Sequence, residues 1–227
     1  MGTLYLVSTP IGNMEDITLR AIKILSSVET IACEDTRKTG LLLVRHQIVK
    51  RANLLSFYEE NENFRLPQII SLLKEGKDVA LVTNAGTPLL SDPGFTLVRE
   101  AVCQGIKIVA IPGPSALLAA LVTTGFPTDK FLFLGFLPKK PGKQEKVFKQ
   151  IKAFEQLTII LYESPYRLIK TLSLLKTALG DVEGVVCREL TKVHEEMTRG
   201  TISELIDTFQ KRKIKGEITL VLNYRQT

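Results

Sequence analysis

Two histidines and three cysteines among 227 residues leave several chemistries without material. His46 and His194 lie far apart in sequence, so histidine-rich metal sites and most Ser-His-Asp schemes have little to work with. Cys33, Cys103 and Cys187 are odd in number and widely spaced, each beside apolar residues. They make neither a disulfide framework nor a zinc pattern, and the expectation is a reduced compartment with three small buried hydrophobes. No segment approaches the roughly 20 uninterrupted apolar residues of a membrane span. The first residues run straight into a strand pattern, without a basic region and a cleavable apolar run, so a cytoplasmic protein is expected. Also missing are a Gly-x-Gly-x-x-Gly after the first strand and any Gly-x-x-x-x-Gly-Lys-Ser/Thr. The usual dinucleotide and nucleoside-triphosphate folds are thereby disfavoured.

What the chain does carry is a βα rhythm. Short strands are expected at 4–8, 29–34, 54–58, 78–83 and 107–111, alternating with helical patterns near 17–27, 36–45, 63–75, 94–104 and 115–123. That alternation implies a mostly parallel sheet covered by helices. Beyond Pro127 the strands, at 131–136, 157–162, 185–190 and 218–222, stand further apart. Helices near 143–154, 166–178 and 201–212 separate them, with an extended edge at 197–200. The fold class is α/β, with two α/β domains at 1–115 and 116–227.

Three Gly/Pro-rich loops follow strands of the first half: Ser8-Thr9-Pro10-Ile11-Gly12-Asn13, Asn84-Ala85-Gly86-Thr87-Pro88 and Pro112-Gly113-Pro114-Ser115-Ala116. Glycine lets backbone approach a ligand closely, with N–H groups toward its polar atoms. One such loop merely ends a strand; three at the carboxyl ends of parallel strands line a crevice for a small molecule. Glu34-Asp35-Thr36-Arg37 opens a helix, where Asp35 or Thr36 serves as a cap or the charged residues handle a polar substrate. Tyr162 to Arg167 and Arg188 to Lys192 each set a carboxylate and a cation at a strand end, as a structural salt bridge or as a charged pocket wall. Lys139, Lys140, Lys143, Lys146, Lys149 and Lys152 form the strongest basic run in a chain of net charge +6. It reads as a solvated helix or as a grip on the phosphates of a polyanion.

The segments Leu-Tyr-Leu-Val-Ser-Thr-Pro-Ile-Gly-Asn (4–13), Asp-Ile-Thr-Leu-Arg-Ala (16–21), Glu-Asp-Thr-Arg (34–37), Asn-Ala-Gly-Thr-Pro (84–88) and Ser-Asp-Pro-Gly (91–94) carry a resemblance. It continues through Pro-Gly-Pro-Ser-Ala (112–116), Gly-Phe-Leu-Pro (135–138), Tyr-Glu-Ser-Pro (162–165), Arg-Glu-Leu-Thr-Lys (188–192) and Lys-Gly-Glu (215–217). In this order, over nearly the whole chain, they resemble the tetrapyrrole methylase superfamily. Within it they are most similar to the bacterial enzymes that 2′-O-methylate a decoding-region cytidine of small-subunit (16S) ribosomal RNA. The resemblance implies two α/β domains with a methyl-donor cleft between them, a fold distinct from the ordinary Rossmann methyltransferases. It implies S-adenosylmethionine as cofactor without a metal, small-subunit ribosomal RNA or the 30S subunit as partner, and a homodimer.

By motif it assigns Pro10, Gly12, Asn84, Ala85, Gly86, Thr87, Gly113, Pro114, Ser115, Ala116, Leu134 and Phe136 to the donor. It turns 34–37, 58–61, 162–167 and 188–192 toward RNA, where Lys139, Lys140, Lys143, Lys146 and Arg167 are also expected. Glu34 or Glu189 is the expected proton acceptor, with Arg37 and Lys192 stabilising charge or gripping phosphate. Three departures stand out: Asn84 replaces the usual Asp, Tyr166 replaces the usual His, and the chain stops soon after 217–222 where many relatives continue. Two other readings stay open, a methyltransferase acting on a small macrocycle or other acceptor and a non-catalytic RNA-binding assembly factor.

Overall fold

In the computed structural model, residues 1–48 and 52–226 are described. They divide into two compact units, Met1–Ser115 and Ala116–Thr227. In the first, strands β1 (Thr3–Val7), β2 (Thr30–Cys33), β3 (Asn53–Ser56), β4 (Val79–Val82) and β5 (Lys107–Ile111) make one sheet in the order β3-β2-β4-β1-β5. Every pairing in it is parallel. A parallel sheet is covered on both faces, which is why β2 reads TIAC and β4 reads VALV, buried throughout with no polar alternation. Helices α1 (Leu19–Ser27) and α2 (Thr36–Arg45) cover one face, packing Leu25, Leu42 and Leu43 against Val7, Ile31 and Val82. Helices α3 (Glu62–Lys74) and α4 (Phe95–Cys103) cover the other, packing Ile69, Leu73 and Leu97 against Leu4, Leu55 and Leu81. Each helix returns the chain to the amino edge of the sheet, so every loop that follows a strand lies at the carboxyl edge. The neighbouring order β4-β1-β5 therefore gathers all three Gly/Pro-rich loops at one place.

The second unit opens with α5 (Ala116–Thr123) and β6 (Phe131–Phe136), then α6 (Pro141–Ile151), β7 (Gln156–Glu163) and α7 (Leu168–Leu179). It closes with β8 (Glu183–Arg188), β9 (Glu196–Thr201), α8 (Ile202–Gln210) and β10 (Ile218–Arg225), the sheet running β6-β7-β10-β8-β9. Only β6 and β7 are parallel; the other pairs are antiparallel. Alternate residues Leu157, Ile159 and Leu161 of β7 meet Leu220 and Leu222 of β10, Leu172 of α7 and Phe209 of α8 in one core. The extended edge expected at 197–200 is β9, paired along β8.

Two expectations need correction. Strand β8 ends at Arg188, so Glu189 and Leu190 fall in the turn beyond it, where Glu189 takes φ +52° and breaks the strand. Cys33 and Cys187 are buried as expected, but Cys103 is exposed at the end of α4, on the helix face turned from the sheet. Among the described residues, no helix is long and apolar enough to cross a membrane.

Candidate active site

The three loops are stitched into one surface. Thr9 and Gly86 exchange backbone hydrogen bonds at 2.9 and 3.0 Å, and the Thr9 hydroxyl donates to the Thr83 carbonyl at 3.1 Å. The Thr87 hydroxyl donates to the Pro114 carbonyl at 3.2 Å. Its single proton is thereby spent, so Ser8 is the donor in the 3.1 Å contact between the Ser8 and Thr87 hydroxyls. This chain of contacts joins all three loops through Thr87. Close approach demands glycine at two points. Gly86 has φ +83°, and a Cβ on Gly113 would stand 3.0 Å from the Cβ of Ser8. Pro10 is buried and Gly12 exposed in the first loop, while Ala116 begins α5.

Two polar atoms on this surface lack partners. Asn84 Oδ1 and Ser115 Oγ are both shielded from solvent and make no hydrogen bond among the described residues. Buried polar groups are nearly always satisfied, so two on adjacent loops mark places where a ligand completes the bonding. Ser115 Oγ and the glycine backbone of these loops suit S-adenosylmethionine, whose ammonium, amino and hydroxyl groups offer donors to such an oxygen and whose body fits against backbone without a Cβ.

Glu34, directly after β2, is tied to the middle loop. Its Oε2 accepts from the Thr83 hydroxyl and from the Asn84 N–H, both at 3.3 Å. Asp35 is the cap of α2 and accepts from the Arg37 N–H at 2.9 Å. It also accepts two guanidinium bonds from Arg37, at 3.2 and 3.0 Å, and these first of all hold its carboxyl down to about 2. The Arg37 side chain is otherwise 88% exposed at the carboxyl edge.

Sequence reasoning missed Asp92 as a site residue. Burial pushes its carboxyl up to about 6; a side-chain hydrogen bond with Thr83 opposes the shift, and the charge of Glu34 adds to it. Its segment is strained, with Leu89 at φ +73° and Ser91 at φ +68°. The motif Ser91-Asp92-Pro93-Gly94, at the same edge as the donor loop, was the available signal. A pocket of about 140 Å³ lies beside the middle loop, walled by Thr9, Pro10 and Met14 after β1 and by Lys38, Thr39, Leu41 and Leu42 of α2, with Thr83 and Asn84 completing it.

In the second unit the charged motifs are internally paired. Glu163 is buried and accepts from the Ser164 N–H at 2.7 Å and the Thr171 hydroxyl at 2.6 Å. Arg167 lies 3.5 Å from Glu163 and donates to the Leu137 carbonyl at 2.7 Å, bracing the turn after β6. Lys192 bridges Glu189 at 2.8 Å and Glu217 at 3.0 Å. That hydrogen bond holds Glu189 below the usual carboxylate range, against the effect of its burial. Burial works against the Lys192 ammonium, but its bonds to Glu189 and Glu217 outweigh it and raise the pKa. Gly216, at φ +92°, packs so closely that a Cβ would stand 2.5 Å from Glu189, which brings the 188–192 and 215–217 motifs into one cluster. On β6, Leu134 is half-buried and Phe136 is exposed, its ring 6.0 Å from that of Tyr162. Lys139, Lys140, Lys143 and Lys146 are all exposed, and none makes an ion pair among the described residues.

Comparison with known proteins bears on the family and the fold. Residues 3–206 match the family described as Tetrapyrrole (Corrin/Porphyrin) Methylases. A Thermotoga maritima protein named ribosomal RNA small subunit methyltransferase I is 48% identical over 226 residues, covering 100% of both chains. One of the same name from Hydrogenobaculum is 48% identical over 225 residues, covering 99% of this chain and 96% of its own. Among solved structures, diphthine synthase superposes with a TM-score of 0.75 at 14% identity, over 97% of this chain and 90% of that one. Cobalt precorrin-4 methyltransferase gives 0.68 at 19% identity, over 97% and 94%. With a family match that spans most of its length, the chain belongs to the tetrapyrrole methylase family, and it is a methyltransferase.

Proposed function

We propose that this protein methylates a ribose 2′-hydroxyl of a cytidine in the decoding region of small-subunit ribosomal RNA. The observation that carries the reading is end-to-end identity of 48% with proteins named ribosomal RNA small subunit methyltransferase I. S-adenosylmethionine, when bound, supplies an electrophilic methyl group. The loops 8–13, 84–87 and 112–116 hold it, through the backbone of 84–87 and the Ser115 hydroxyl.

The acceptor hydroxyl must lose a proton, and the chain offers three carboxylates. Glu189 is the weakest base, because Lys192 stabilises its ionised form. Glu34 is committed through Oε2 to the donor loop, and Asp92, raised to about 6, is best matched to neutral pH. Lys192 keeps its proton and, with Arg37, serves phosphate; the exposed lysines 139, 140, 143 and 146 extend that contact. Alignment of acceptor and donor supplies most of the acceleration in such a displacement.

Helix α5 is apolar on all sides, yet Leu118 and Val122, one turn apart, are 50% and 70% exposed, and we place the contact of a homodimer there. A cytoplasmic location follows from the ribosomal substrate. The test is incubation of small subunits from cells lacking the protein with purified chain and tritiated S-adenosylmethionine. Label recovered as 2′-O-methylcytidine is the expected result; label on the base, or none on RNA, would reject the reading.

A further inference from the structure

The pocket beside the donor loop has walls of two kinds. Pro10, Met14 and Leu41 are apolar, whereas Thr83, Asn84 and Lys38 are polar or charged. Its volume of about 140 Å³ is under half the roughly 300 Å³ at which pockets for whole small ligands begin. It holds one ring with its substituents, and is too small for a nucleoside sulfonium. Met14 and Leu41 are 39% and 68% exposed, so the mouth opens to solvent near the loops after β1 and β4. Asn84 lines it, and its Oδ1, shielded from water in the wall, has no hydrogen-bond partner among the described residues. Its terminal amide torsion is soft, and a turn about that bond presents the oxygen to the pocket. Apolar walls suit the face of a flat ring, and a partnerless acceptor suits an N–H on its edge. A nucleobase with an exocyclic amino group combines the two.

We propose that this pocket receives the base of the acceptor nucleotide, turned out of its stack, with Asn84 accepting from the amino group and Lys38 meeting the adjoining phosphate. The proposal rests on the ribosomal-RNA reading above. Enzymes that act on a nucleotide commonly extrude it and read its pairing edge in a fitted pocket. Cytosine offers an amino donor on that edge. Uracil offers a carbonyl at the same place, which would set two acceptors against each other. The backbone of 84–87 remains for the methyl donor, so one short loop bears on both substrates and sets them side by side.

The test compares wild type with Leu41→Trp, Asn84→Ala and Asn84→Asp. Leu41 sits at the exposed mouth, so Trp obstructs the pocket without disturbing the core, and a thermal melt verifies the fold. Transfer of tritiated methyl to unmodified small subunits gives kcat/KM for the RNA, and calorimetry with S-adenosylmethionine gives donor affinity. Leu41→Trp and Asn84→Ala are expected to lower kcat/KM at least about tenfold, within the range for losing one specific base contact. Donor affinity stays at the wild-type value, and Asn84→Asp, which keeps an acceptor oxygen, retains transfer. Leu41→Trp at the wild-type rate overturns the proposal, as does a matching loss of donor affinity, which would make the pocket part of the donor site. No label with wild type overturns the ribosomal reading itself, and this proposal with it.

Discussion

Asp92 shows how one residue bears on both stability and chemistry. Its carboxyl titrates near 6 in the fold, against an ordinary value of 3.8, because burial and the charge of Glu34 disfavour ionisation. A raised pKa means that the protonated form is the one the fold tolerates. The associated stability is therefore full below about pH 4 and is lost as pH rises through about 6. Asp92→Asn, which cannot ionise, is expected to stabilise the protein at pH 7.5 by about 1–3 kcal/mol and to leave it unchanged at pH 4. Glu34→Gln should act in the same direction, since it removes the charge that faces Asp92. Chemical denaturation at the two pH values measures both. Equal effects of Asp92→Asn at pH 4 and 7.5 would refute the account. If Asp92 also takes the proton from the acceptor, the stabilised variant is the inactive one, a pattern that structural carboxylates do not produce.

At the scale of elements, the β8–β9 edge depends on ionic contacts as well as on packing. Glu196 of β9 accepts from Arg212 and, at 3.0 Å, from Arg188 of β8. The Arg212 bond first of all holds its carboxyl down to about 2, with burial opposing and Arg188 adding. Here the sign is the reverse of Asp92: the contribution is full above about pH 4.5 and is lost as pH falls through about 2. Glu196→Gln should cost on the order of 1 kcal/mol at pH 7, after screening of the partly exposed Arg212, and the cost should shrink as pH falls through about 2. Faster amide exchange along β9 at pH 7 would report it. The strands and helices themselves were legible because β1, β2 and β4 are short apolar runs between turn residues. The loop positions were legible because Gly and Pro follow β1, β4 and β5. Long-range ties were not. Nothing local joins Glu34 to Asn84, 50 residues on, or Glu189 to Glu217, 28 residues on. Nor does a motif announce a pocket whose walls come from one turn, one helix and one strand end.

For the whole molecule, the net charge of +6 matters less than where its cations are free. Arg167, Arg188, Lys192 and Arg212 are each paired with a carboxylate. The lysines at 139, 140, 143 and 146 are exposed and make no ion pair among the described residues. Pro141 at the first turn of α6 fixes where this basic segment becomes helical. If these side chains neutralise phosphates, each contact releases counterions, and the affinity for RNA falls steeply with salt. Replacing all four lysines by Ser should flatten the plot of log affinity against log salt by about 2–3 units of slope. The melting temperature should scarcely move, since all four side chains are exposed and unpaired among the described residues. Binding of small subunits measured across a salt series gives the slope. A steep dependence that survives the substitutions would place the phosphate contacts elsewhere, such as on Lys211, Lys213 and Lys215 after α8, and leave α6 as a solvated helix.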